Sequence, residues 1–109
     1  MSAVAVEFQA PNAHTYVHFH QDRFREGFQA WMFENSHVWK RFEQEALRIW
    51  NRGRRHYSAR TIIEVLRHES ALSDTGVEYK LNDHNTPDLA RLFLDLHPAC
   101  AGLFETRRR

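Results

Sequence analysis

Between positions 48 and 67 stand Arg48, Arg52, Arg54, Arg55, Arg60 and Arg67, against Glu64 alone, a local balance of +5. Guanidinium groups match phosphate oxygens in charge and in fork geometry. Arg54, Arg55 and Arg60 are therefore candidate phosphate ligands. Ser58 precedes a helical pattern, and the N–H groups of a helix start add donors for an anion. The plainer account is a solvated helix end whose Arg stems cover an aromatic core. Six arginines against one acid in twenty residues is nevertheless more than solubility requires.

A second group follows further along the chain: Lys80, Asn82, His84, Asn85 and Thr86, with Arg91 one helical turn on. Asn and His can read base edges, Lys and Arg can hold phosphates, and a helix start can enter a DNA major groove. The competing account is an Asx-rich turn that satisfies its own backbone. Asp83, Asp88 and Asp95 argue against a helix lying deep in DNA. Arg107, Arg108 and Arg109 add a basic ending.

Other chemistry is thinly represented. His14, His18 and His20 suit a metal by residue type, but no cysteine accompanies them and His14 does not clearly share their strand face. A chance cluster is the simpler account, and no metal is expected. His56, His68 and His97 could move protons, yet no Ser-His-Asp or Cys-His set can be assembled. Glu64 and His68 are spaced as an ordinary helix surface pair. Cys100 has no basic neighbour to favour a thiolate. The four glycines form no phosphate loop. An enzyme and a cofactor are not expected.

These groups need elements to hold them. Residues 3–8 are β-prone, 11–13 look like a turn, and 14–20 alternate as a strand would. A short N-terminal hairpin over 1–20, or a loose arm, is expected. Phe24, Phe28, Trp31 and Met32 predict a helix over 22–34, ended by Asn35, with Ser36 able to cap the next. Val38, Phe42, Ala46 and Ile49 predict a helix over 37–52, closed by Gly53. Ser58 caps a third helix reaching about 70. Residues 77–81 alternate as a short strand. Thr86, Pro87 and Asp88 start a fourth helix that runs to 96, where His97 and Pro98 stop it. Residues 103–107 read as a second short strand. Two strands flanking a capped helix predict a mostly helical α+β domain over 21–109, with a two-stranded winged-helix-like sheet.

The chain has 109 residues, three Trp and eight Phe, enough for one domain with its own core. No apolar run approaches the roughly 20 residues of a membrane helix. One cysteine allows no intramolecular disulfide, and no leader-like segment is recognised, so the cytoplasm is the expected compartment. The net charge of +1 hides an asymmetry: residues 1–47 carry four Lys/Arg and six Asp/Glu, residues 48–109 eleven and eight.

The blocks His56-Tyr57-Ser58-Ala59-Arg60-Thr61-Ile62-Ile63-Glu64-Val65-Leu66-Arg67-His68-Glu69, Tyr79-Lys80-Leu81-Asn82-Asp83 and Leu103-Phe104-Glu105-Thr106-Arg107 carry a resemblance. So do Ala90-Arg91-Leu92 and the step Glu34-Asn35-Ser36-His37-Val38-Trp39. Together they resemble a family of small uncharacterised proteins of phages, prophages and related mobile elements, over about residues 24–107. The resemblance implies a mobile-element origin and brings no established binding residue.

The expectation is thus a small phage-type protein that binds duplex DNA through a basic surface. Its candidate contacts are Arg54, Arg55, Arg60, Lys80, Asn82, His84, Asn85, Thr86, Arg91, Arg107 and Arg108. The alternative is an interaction module of the anti-defence type that inhibits or modulates a host protein. Self-association as a homodimer fits either.

Overall fold

The computed structural model describes residues 12–72 and 84–105. Among them are five α-helices and no strand: α1 (Ala13–Phe19), α2 (Phe28–Glu34), α3 (Ser36–Asn51), α4 (Ala59–Ala71) and α5 (Asn85–Leu96). Short 3-10 turns occupy Gln21–Arg23 and Pro98–Cys100. No helix among the described residues is long and apolar enough to cross a membrane.

The helices expected over 37–52, 58–70 and 86–96 are present as α3, α4 and α5. Val38, Phe42, Ala46 and Ile49 are all buried, because that spacing returns each to the same face of α3. Gly53, at φ +99°, closes α3 and sends its N–H to Trp50 O at 2.9 Å. Ser58 Oγ accepts the Thr61 N–H at 3.2 Å and caps α4 as expected. The cap of α3 is not Ser36. Asn35 takes the N-cap position, and its amide donates back to Trp31 O at 2.9 Å. α5 begins earlier than the Thr86-Pro87 signal suggests, with His84 at its N-cap.

Three expectations are overturned. First, residues 14–20 do not extend as a strand of a hairpin. Asn12 Oδ1 accepts the N–H groups of His14 at 2.8 Å and Thr15 at 3.2 Å, and so opens α1. Ala13 and Val17, four apart, then share a face, and Val17 enters the common core. Residues 3–8 lie outside the described residues. Second, the helix expected over 22–34 is broken. Gly27 at φ +92° turns the chain between the 3-10 turn and α2, and still lets Phe24 and Phe28 stack at 5.1 Å.

Third, the two-stranded winged-helix-like sheet, and with it the α+β class, is contradicted. Residues 77–81 lie outside the described residues. Leu103 and Phe104 form no strand. A strand would point consecutive side chains to opposite faces, whereas Leu103 and Phe104 are both buried, at 0% and 3% exposure. They act as a plug. The Phe104 ring lies 5.6 Å from Phe42 of α3 and 5.6 Å from Phe93 of α5.

Two polar networks tie the helices together. Asp95 of α5 accepts two bonds from Arg23, at 2.8 and 2.7 Å, and one from the Tyr16 hydroxyl at 2.8 Å. Buried Glu45 of α3 lies between Arg41 and Arg48, and Arg41 reaches Glu69 of α4 at 2.8 and 3.1 Å. The hydrogen-bonded Arg48, with Arg41 behind it, holds the Glu45 carboxyl below the usual carboxylate range, against the opposing effect of burial.

Candidate nucleic-acid interface

The first turns of α4 and α5 meet at one concave groove of about 770 Å³, with the 52–58 connection as its lip. The connection contributes Arg54 and Tyr57, α4 contributes Arg60 and Thr61, and α5 contributes Thr86, Pro87 and Arg91. Two groups of residues that stand thirty positions apart in the sequence thus line a single surface. Glu105 lies at the rim and lowers its positive charge.

The six arginines of the basic stretch divide by what they touch. Arg48 pairs with Glu45, and Arg67 lies 3.4 Å from Glu64. Arg55 stacks 3.9 Å over the Trp50 ring and donates to Trp50 O at 2.8 Å and to its neighbour's carbonyl at 3.1 Å. It serves the fold and does not line the groove. Arg54, Arg60 and Arg52 are exposed and have no carboxylate within ion-pair distance among the described residues. Two of these three, Arg54 and Arg60, line the groove. Arg91 sits at its base, 7% exposed, 3.4 Å from the buried carboxylate of Asp88.

The second predicted group is only partly assembled. Thr86 and Arg91 join the groove. His84 instead meets Arg25, Nη1 to Nδ1 at 2.9 Å, and Asn85 is buried. α5 buries Asn85, Asp88, Leu89, Ala90, Arg91, Leu92, Phe93 and Leu96, so its first turn does not stand proud as a recognition helix must. Lys80, Asn82, Arg107 and Arg108 lie outside the described residues.

Tyr57 carries no signal in the sequence beyond its place after the arginines. It is half-buried, its backbone N–H donates to Leu103 O at 2.7 Å, and the Arg54 guanidinium lies 5.4 Å above its ring. The start of α4 lines the groove through Ser58, Ala59, Arg60 and Thr61, whereas α5 lines it with the flank that carries Thr86, Pro87, Ala90 and Arg91. The arrangement can hold an anion with a flat apolar portion. Cys100 is buried away from this groove, and burial pushes its thiol up.

Of the histidines, exposed His56 also lines the groove, whereas His18 and His20 lie elsewhere. His18 Nδ1 meets the Gln29 amide at 3.0 Å, and His20 stacks on Tyr16 at 4.0 Å. No three His, Cys, Asp or Glu side chains among the described residues converge as metal ligands would. His97 Nε2 lies 2.6 Å from Glu43 Oε2, a pair that 54 positions of separation hide from a sequence reading. It faces a second groove of about 740 Å³ beside Trp39 and Trp50. Comparison of the chain with protein-family models, with curated proteins and with solved structures finds no match.

Proposed function

We propose that the chain binds nucleic acid through the sugar-phosphate backbone, with phosphates held at the groove between α4 and α5. The observation that carries this reading is the pair Arg54 and Arg60: exposed, without acidic partners among the described residues, and lining one concave surface. Folded proteins usually neutralise such cations or leave them dispersed over a convex face. Backbone contact positions a protein on nucleic acid without reading sequence. Duplex DNA is the polyanion expected from the sequence. With the first turn of α5 buried, the reading rests on phosphates and not on base edges. A regulator from a mobile element is a compatible setting.

The test is fluorescence anisotropy of labelled random-sequence DNA, duplex and single-stranded, at low and moderate salt. Neutralising about two phosphates gives a logarithmic salt slope near −2, or roughly tenfold weakening over a fourfold rise in salt. The Arg54→Glu, Arg60→Glu variant should abolish binding. A double variant that binds normally sinks the reading.

A protein partner is the second reading, and one surface favours it. Phe19 and Phe33 are 71% and 82% exposed, and both border a hollow of about 260 Å³ floored by Val17 and Met32. Large exposed aromatics side by side are uncommon on monomers. A host protein bound by the wild type and released by Phe19→Ser, Phe33→Ser would support it. Retention of that protein by the variant would count against it.

A further inference from the structure

We infer that the groove between α4 and α5 takes an unpaired nucleotide, its base stacked at Tyr57 and its phosphate held by Arg54 and Arg60. The inference rests on the proposed nucleic-acid reading and goes beyond it by naming which form of nucleic acid fits.

Three observations lead there. The first is shape. A duplex presents a convex rod whose bases face inward, so a protein groove can touch only its phosphates. A concavity of about 770 Å³ is in the size range of sites that enclose a small ligand. A single nucleotide with its flanking phosphates is small enough to enter such a space.

The second is the mixture of surfaces. A site for phosphate alone needs cations and N–H donors. This groove adds the Tyr57 ring and an apolar wall from Pro87 and Ala90. Aromatic faces and Arg guanidinium planes are the surfaces on which unpaired bases stack, and stacking tolerates any base. Arg54 over Tyr57 supplies both within one residue cluster.

The third is rigidity. Tyr57 is tied to Leu103 through its backbone and packs on the core. Ser58 Oγ is committed to the Thr61 N–H, which fixes the start of α4 beside Arg60. The stacking surface and the backbone that carries the cations are therefore fixed, while the exposed guanidinium groups of Arg54 and Arg60 can adjust to a phosphate.

The experiment measures the affinity of the purified full-length chain for a labelled single-stranded oligonucleotide and for the duplex of the same length. The same measurement is made with Tyr57→Leu, Tyr57→Phe and the Arg54→Glu, Arg60→Glu variant. The expected result is single-strand binding about tenfold tighter than duplex binding, in line with the loss of one base stack. Tyr57→Leu should remove that preference, and Tyr57→Phe, which keeps the ring, should retain it. Equal affinity of the wild type for both forms overturns the inference whether or not Tyr57→Leu folds. If binding is then still abolished by the double arginine variant, the phosphate reading stands and only the nucleotide inference falls. No binding of either form at low salt ends both.

Discussion

The backbone N–H of Tyr57 donates to the carbonyl of Leu103 at 2.7 Å, across forty-six positions of sequence. It joins the lip of the groove to the plug formed by Leu103 and Phe104, a segment expected to pair as a strand with residues 77–81. Leu103 is fully buried beside Phe104, so the plug also fills the core. Leu103→Ala removes buried methyl groups and leaves a cavity, which costs about 2–5 kcal/mol. Urea unfolding should show that loss. Amide exchange at Tyr57 should accelerate in the same variant, because its acceptor is no longer held. An unchanged midpoint would show that the segment around Leu103 contributes little to the core.

Glu45 makes stability depend on acid. Its folded carboxyl is held below the usual range, chiefly by Arg48. Its contribution is therefore complete above the ordinary glutamate pKa and is lost as pH falls through the depressed folded value. Glu45→Gln keeps the shape and loses the charge-assisted bonds, at a cost of about 1–2 kcal/mol at neutral pH. The gap in melting temperature between wild type and variant should narrow as pH drops below the ordinary carboxylate range. A gap that stays constant into strong acid would contradict the assignment.

Asp95 fastens the N-terminal part of the chain. It receives Arg23 twice and Tyr16 once. Arg23 is 44% exposed at its side chain, so solvent weakens the ion pair. Asp95→Ala should cost about 1–2 kcal/mol, most of it from the stranded Tyr16 hydroxyl and the lost charge-assisted bonds. Limited proteolysis should then cut within residues 12–23 sooner than in the wild type. Equal cleavage rates would mean that Val17 and Phe24 hold this region by packing alone.

The long helices were legible because their apolar residues repeat over three turns or more. Over such a length only one period fits. Residues 14–20 were too short for that test, since Tyr16, His18 and His20 satisfy an alternation of two while Ala13 and Val17 satisfy a helical return. Asn12, through its two backbone bonds, settles the choice. Leu103 and Phe104 read as β-prone by type, but their burial comes from Phe42 and Phe93, which no local pattern announces. In the candidate site, Arg54 and Arg60 were visible as excess charge. That Arg55 is spent on Trp50, and that Thr86 and Arg91 arrive from another helix, are tertiary facts. The Glu43–His97 pair is of the same kind.

The connection 52–58 is fastened twice, by Arg55 on Trp50 at one end and by Tyr57 on Leu103 at the other. The backbone that carries Arg54 and the Tyr57 ring is thereby held in place. Under the proposed reading, association would require no folding step, and its rate would follow from encounter and electrostatic attraction. Arg55→Ala should then weaken binding by loosening the lip, although Arg55 itself does not line the groove.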